Sequence, residues 1–182
     1  MRPVAFPVDR RPPASPPDWR EPGLGLRLAV EADLPFLRTL YRSFRAEEMA
    51  PVPWTQAAKD AFLDDQFRLQ HQHFVTHFAG GDFFVVERET APIGRLYLHR
   101  DDTGVLIVDI GFLPTARGQG LGQTLLEWTL RHAGQVGAPR VWLHVLSQNL
   151  TARRLYERLG FVVVGEDGAH LRMERPASRS SS

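Results

Sequence analysis

The residues with the most evident chemistry run Val108-Asp109-Ile110-Gly111-Phe112-Leu113-Pro114-Thr115-Ala116-Arg117-Gly118-Gln119-Gly120-Leu121-Gly122. An apolar run ends near a proline, and glycines then open a segment with helical spacing. Gly118, Gly120 and Gly122 carry no Cβ, so an anionic ligand can come close to the backbone. The first N–H groups of the following helix lack intrahelical partners and, with the helix dipole, form a site for phosphate. Arg117 adds a fixed positive charge at its lip. The other reading is a glycine-rich turn that only lets strand and helix pack. Two familiar phosphate loops do not fit. A Walker loop needs Gly-Lys-Ser/Thr, and Gly122 is followed by Gln123; a dinucleotide loop needs G-x-G-x-x-G, and the spacing here is G-x-G-x-G.

The elements around this stretch follow from periodicity. Residues 24–30 read as a strand. Asp33 is placed to cap a helix with Pro35 in its first turn and Leu34, Leu37, Tyr41 and Phe44 along one face. A second helix is expected over 55–78, with Leu63, Phe67, Phe74 and Phe78 on one stripe, stopped by Gly80-Gly81. Strands follow over 83–88 and 93–99, separated by a turn at Ala91-Pro92, and over 105–113 after a turn at 101–104. A helix over 120–135, a strand over 140–146 and a short helix over 149–159 closed by Gly160 come next. Residues 161–164 and 170–174 read as a last strand pair. Three strands before a strand-helix-strand unit predict an α/β (α+β) fold, a mixed sheet with helices on both faces.

Downstream of the glycine loop lies Asn149-Leu150-Thr151-Ala152-Arg153-Arg154-Leu155-Tyr156-Glu157-Arg158-Leu159-Gly160-Phe161. Arg117-x-x-Gly120-x-Gly122 resembles the acyl-CoA pyrophosphate loop of the Gcn5-related N-acetyltransferase (GNAT) superfamily. The second stretch resembles that family's N-x-x-A-x-x-L-Y-x-x-x-G-F signature, at the family's spacing. The resemblance covers roughly residues 25–175. It implies a GNAT-like, mostly antiparallel central sheet whose two parallel central strands, 105–113 and 140–146, splay apart. It implies acetyl-CoA as cosubstrate. Backbone groups of Phe112 and Leu113 would hold the pantetheine amides. Arg117, Gly118, Gln119, Gly120, Leu121 and Gly122 would hold the pyrophosphate, and Asn149 would contact the cofactor arm.

The implied reaction is direct attack of a neutral primary amine on the thioester. A backbone N–H near Phe112 is then placed for the oxyanion, and Tyr156 for protonating the departing thiolate. Tyr156 can equally be a core tyrosine, since Ala152, Leu155 and Leu159 form a packing stripe beside it. Alternation puts Asp109, Gly111 and Leu113 on one face of their strand, and Ile110 and Phe112 on the other. Asp109 is either the proton acceptor or an aspartate bound to neighbouring backbone or an arginine. His144, on one strand face with Trp142, lines the acceptor pocket, acts as base, or is a satisfied interior histidine. Trp54 either walls the acceptor site or is an ordinary core aromatic. His73 and His77 have the spacing of a metal pair but no third ligand, so no metal is expected and, with His71, a solvated or acceptor-lining face is. The acceptor is a small-molecule amine or a peptide or protein amine. The resemblance also admits a homodimer, and a non-catalytic acyl-CoA-binding module is the competing class.

Composition narrows the alternatives. A chain of 182 residues is one domain's worth. With 22 basic and 21 acidic residues the net charge is +1, which gives no case for nucleic acid or a membrane surface as partner. Cysteine is absent, which excludes disulfides, thiolate zinc sites and a cysteine nucleophile, and fits a reducing, cytoplasmic compartment. Seven of the 14 prolines fall in residues 1–23, which are expected to form a flexible tail without the apolar run of a secretory signal. The acetyltransferase domain is expected over 24–175 and a second loose tail over 176–182.

Overall fold

The computed structural model describes residues 4–7, 19 and 21–177. Its elements are β1 (Leu24–Leu28), α1 (Leu34–Met49), α2 (Gln56–His77), β2 (Asp82–Arg88), β3 (Ala91–Asp101), β4 (Gly104–Phe112), α3 (Leu121–Gln135), β5 (Arg140–Leu146), α4 (Leu150–Arg158), β6 (Val162–Asp167) and β7 (His170–Pro176). The seven strands form one sheet in the order β1-β2-β3-β4-β5-β7-β6. Every neighbouring pair is antiparallel except β4 and β5, which run parallel. The mixed, mostly antiparallel sheet expected from the sequence is the sheet observed.

Alternation along the strands builds a core on each side. In β2, Phe84 and Val86 point to one side, where they meet Leu125, Leu126 and Trp128 of α3 and, further along, Tyr156 of α4. Phe83 and Val85 point to the other, against Leu37, Leu40 and Tyr41 of α1 and Leu63, Phe67 and Val75 of α2. The sheet is therefore sandwiched with α3 and α4 below and α1 and α2 above.

Three local expectations change. The hairpin between β2 and β3 turns at Glu89-Thr90, both with positive φ (50° and 74°), as a two-residue hairpin whose twist matches its strands requires. Ala91 and Pro92 belong to β3. Pro92 has no N–H to give the ladder, and the register shifts beside it. Asp33 precedes α1 but does not cap it. Its carboxylate instead takes both Nη groups of Arg27 (2.7 and 2.8 Å) and the Val30 N–H (2.8 Å). Burial alone would raise its pKa; the Arg27 and Val30 hydrogen bonds outweigh that and hold it below the ordinary carboxylate range. The third change is in α2, where the buried stripe includes His71.

The N-terminal segment is not wholly a tail. Phe6 is 6% exposed and lies edge-on to His71 (4.9 Å) and tilted to Phe83 (5.6 Å). The Val4 carbonyl meets His71 Nε2 at 2.7 Å. Trp19 packs against Trp128 in the core of the opposite face, and its Nε1–H donates to the Leu24 carbonyl (2.8 Å). The chain thus touches both faces of the sheet before it enters β1. Proline content hid this, because a proline-rich segment can still deliver two aromatic anchors across the sheet. At the other end, Pro176 closes β7 and Ala177 packs on the core, while residues 178–182 lie outside those described.

Replacing Phe6 by Ala is expected to lower unfolding stability by about 3 kcal/mol, the low end for a buried phenylalanine. Chemical denaturation checks it, and an unchanged midpoint would show that the segment adds nothing to the core.

Candidate active site

β4 and β5 pair only at Val105–Val141, Leu106–Trp142 and Ile107–Leu143. Beyond them β4 continues to Phe112 and β5 to Leu146 with no pairing between the two. The separation begins where Val108 is left without a partner in β3: Leu98 pairs with Ile107 and Tyr97 with Asp109. Such a bulge adds twist and bends its strand. Past the bulge, the Leu113 N–H bonds the Ile93 carbonyl (2.8 Å). In an antiparallel ladder the bonding direction alternates residue by residue. The N–H and C=O groups of Phe112 and Ile110 therefore point away from β3, into the gap.

This gap opens into a cleft of about 820 Å³, lined among others by Asp109, Ile110, Phe112, Asn149, Ala152 and Tyr156. At its other end stand Arg117, Gly118, Gly120 and Gly122. Gly118 and Gly120 hold φ of 71° and 79°, and a Cβ on either would meet nothing within 4 Å. The loop needs glycine for its backbone, and the space beside it is open. Gly120 is the N-cap of α3, and the Thr124 N–H to Gly120 carbonyl bond (3.1 Å) starts the helical ladder. The N–H groups of Leu121, Gly122 and Gln123 precede it, so this end of the cleft presents donors to an anion. Arg117 is held back from the loop. Its Nε donates to the Phe112 carbonyl (3.0 Å) and its guanidinium lies 5.7 Å from the centre of the Phe44 ring.

The chemistry concentrates on two side chains. Tyr156 is 7% exposed, and among the described residues its hydroxyl has no hydrogen-bond partner. Burial, with the Asp109 charge nearby, pushes its pKa up to about 12. Asp109 lines the same cleft and forms an ion pair with Arg95 Nη2. Arg95 is 2% exposed; Gln70 Oε1 accepts from it at 2.9 Å, and its guanidinium faces the rings of Phe44 and Tyr97. Burial opposes the Arg95 charge, but the Asp109 carboxylate outweighs it and keeps the guanidinium above its ordinary value. A fully buried arginine requires such a counter-charge.

The structure brings Asp109, Phe112, Arg117, Gly118, Gly120, Leu121, Gly122, Asn149 and Tyr156 into one cleft. It does not bring in three others. Leu113 has both backbone groups engaged, its N–H on Ile93 and its carbonyl by the Ala116 N–H (2.9 Å), because the chain turns there. The Gln119 side chain is drawn away by the Thr115 carbonyl (2.8 Å) and Arg88 (2.7 Å), leaving only its backbone in the loop. His144 is exposed on β5, opposite Arg172 and outside the cleft lining. Burial, and then Arg172, lower its pKa. Asn149 uses its Oδ1 to cap α4 through the Ala152 N–H (3.1 Å), which leaves its NH2 as a donor. His71 is buried, and that burial lowers its pKa, whereas the His73 and His77 rings lie tilted against each other at 4.0 Å. Trp54 is exposed against Phe62. Arg95, Phe44, Arg154 and Arg158 were not singled out from the sequence. For Arg95 the available signal was an arginine inside an apolar strand, sharing a face with Tyr97.

The family model for the Acetyltransferase (GNAT) family matches residues 37–161. The mycothiol acetyltransferase of Thermomonospora curvata is 40% identical over 86 residues, 46% of this chain and 29% of that protein. The one from Streptomyces coelicolor is 36% identical over 87 residues, 47% of this chain and 28% of that protein. The chain thus spans less than a third of the length of these curated relatives. Among solved structures, the PaiA N-acetyltransferase of Thermoplasma acidophilum in complex with coenzyme A superposes with a TM-score of 0.67 at 18% identity, over 84% of this chain and 98% of that one. The spermidine N-acetyltransferase of Vibrio cholerae, in complex with CoA and spermine, gives 0.61 at 23% identity, over 86% and 97%. At these identities the two superpositions establish the fold.

Asp109→Asn keeps the shape of the side chain but strips Arg95 of its counter-charge. A loss of about 3 kcal/mol is expected, the lower end for breaking a buried pair, since Asp109 itself is partly exposed. Urea unfolding measures it, and an unchanged midpoint would mean that another group balances Arg95.

Proposed function

The chain belongs to the GNAT acetyltransferase family, and from that premise we propose that it transfers the acetyl group of acetyl-CoA to a primary amine by direct attack. The observation that carries this reading is the single cleft that joins a gap between parallel strands, a loop of free amides and the Tyr156 hydroxyl. The residues present suit acetyl-CoA. The pyrophosphate would lie on the amides of the 118–122 loop and the start of α3, where Gly118 and Gly120 leave room. The pantetheine arm carries amides of its own, and the outward N–H and C=O groups of Ile110, with the Phe112 N–H, offer it the edge of a strand; the Phe112 carbonyl is already taken by Arg117.

In the reaction the amine nitrogen forms a bond to the thioester carbon. Negative charge then builds on the carbonyl oxygen, and the Phe112 N–H is the donor placed for it. The carbon–sulfur bond breaks, and Tyr156 supplies the proton that the thiolate takes. Its pKa of about 12 keeps that proton on the hydroxyl even where a free amine is unprotonated. The amine enters from the side of Phe44 and Asp109. The Asp109 oxygen not engaged by Arg95 accepts the proton lost by the amine, directly or through a water. His144 has no role in these steps. The acceptor is a small-molecule amine or a peptide or protein amine. The relatives cover both kinds by name, from mycothiol and spermidine enzymes to a ribosomal L7/L12 α-N-protein acetyltransferase.

Tyr156→Phe removes one hydroxyl and keeps the ring. Turnover is expected to fall roughly 10- to 10⁴-fold, the range for a general acid, with CoA affinity and melting temperature little changed. Thiol release with a panel of amines measures it. Lost stability with turnover preserved would make Tyr156 a core residue. Wild-type protein that binds CoA and releases no thiol would instead be a non-catalytic acyl-CoA-binding module.

A further inference from the structure

Beside the gap, the upper face of the sheet carries a cation that its neighbours hold in place but do not use. Val141, Leu143 and Val145 point into the core below, so Trp142, His144 and Leu146 stand on the upper side of β5, where His144 and Leu146 are exposed. Asp109 stands on the same side of β4, since it meets Arg95 under α1 and α2. Ile107–Leu143 is the last pair before the strands part, so Asp109 and His144 flank the gap just past it. The register partner of His144 on β7 is Arg172.

The Arg172 guanidinium lies 4.7 Å from the centre of the Trp142 ring, and the His144 ring stands edge-on to the same indole (5.5 Å). Among the described residues Arg172 makes no hydrogen bond, and its Nε is buried without a partner. Its one ion-pair contact there is Glu174 at 3.8 Å, a carboxylate that Arg140 already takes at 3.0 Å. Asp167 lies further along, opposite His170. Burial, and then Arg172, lower the pKa of His144, so at neutral pH its ring offers a hydrogen bond and not a second charge. A planar cation fixed on an indole with its donors unspent suits a carboxylate, which can take two of them at once.

We propose that the acceptor amine carries a carboxylate of its own, which Arg172 holds while the amine nitrogen lies by Asp109; this rests on the acetyl-transfer reading. β4, β5 and β7 are successive neighbours in the sheet. Adjacent strands lie about 4.8 Å apart, so two spacings and the opening of the gap put about 10 Å between Asp109 and Arg172. An α-amino acid is too short to reach both. The class that fits is an amine well separated from its carboxylate, as in a long ω-amino acid or a peptide N-terminus followed by an acidic residue. A diamine would bring a like charge to Arg172. The residue would thus select among amines that the reaction centre itself cannot tell apart.

The test is thiol release from acetyl-CoA by the full chain with matched acceptors. One pair is an ω-amino acid of eight carbons and its terminal amide. The other is an amidated peptide with glutamate as its second residue and the same peptide with glutamine there. In at least one pair the wild type is expected to show a kcat/KM about 10- to 100-fold higher for the carboxylate, the range for hydrogen bonds to a charged group. Which pair shows it tells a small molecule from a peptide. The preference is expected to vanish in Arg172→Ala, and in Arg172→Glu a diamine of the same length should become the better acceptor. Each preference is a ratio measured on one protein, so a partial loss of folded protein cancels. Equal kcat/KM within both pairs for the wild type, or a preference that survives in Arg172→Ala, would overturn the proposal and leave acetyl transfer standing. So would turnover confined to amines without a carboxylate. A wild type that releases no thiol with any amine would overturn the acetyl-transfer reading and this proposal with it.

Discussion

The structure turns on β4 losing its neighbour. From Val105 to Ile107 the strand is paired on both sides; Val108 bulges out of both ladders, and from Asp109 on the strand keeps β3 and parts from β5. Backbone donors and acceptors that lose their partners inside a protein cost free energy until something else satisfies them. The bulge at Val108 concentrates that cost at the Ile110 groups and the Phe112 N–H, where a ligand with amides of its own can repay it; Arg117 already satisfies the Phe112 carbonyl. Much of the surrounding sequence serves to keep this edge open and in place. Gly94 lets β3 approach, since a Cβ there would lie 2.6 Å from the Gly111 carbonyl. Gly111 in turn leaves room for the Phe44 ring, which closes the α1 side.

Electrostatics lock the same region from behind. Arg95 sits fully buried beneath the cleft, tied to Asp109 on β4, to Gln70 on α2 and to the faces of Phe44 and Tyr97. That cluster joins the strand that lines the gap to both helices above it. Asp109 is therefore a structural counter-charge that also lines the cleft, where the proposed reaction gives it a second task. Under that proposal a variant at this position would change stability and turnover together, and only measurements of both can separate the roles.

The sequence made legible what depends on local backbone chemistry. Glycines at positions 118 and 120 are required by positive φ, and such a requirement leaves letters that can be read. The Asn149-to-Phe161 signature is likewise one helix with its cap, packing stripe and stop. The mixed sheet with helices on both faces followed from the order of elements, and its mostly antiparallel pairing from the family resemblance, whereas the strand order is set by pairings distant in sequence. What stayed hidden depends on partners distant in sequence. Arg95 looked like any polar residue until β3 set it beside β4. Phe6 and His71 meet only because the N-terminal segment crosses to α2. His144 shares a periodicity with core strands, but α1 and α2 do not cover β5, so its side chain stands in the open. Leu113 was one residue too far along, because the chain has already begun to turn and its backbone groups are taken.

The central claim is that the glycine loop at the start of α3 receives the phosphates of acetyl-CoA. The most direct measurement is thermal unfolding with and without acetyl-CoA, in the wild type and in Gly120→Glu. A ligand that binds only the folded chain stabilises it by about 2.7 kcal/mol at a hundred times its dissociation constant, so the wild-type melting temperature should rise with acetyl-CoA concentration. In Gly120→Glu a carboxylate occupies the phosphate position, and the ligand-dependent rise should disappear whatever the melting temperature of the variant alone. A variant that keeps the full acetyl-CoA shift, or a wild type that shows none, would contradict the claim.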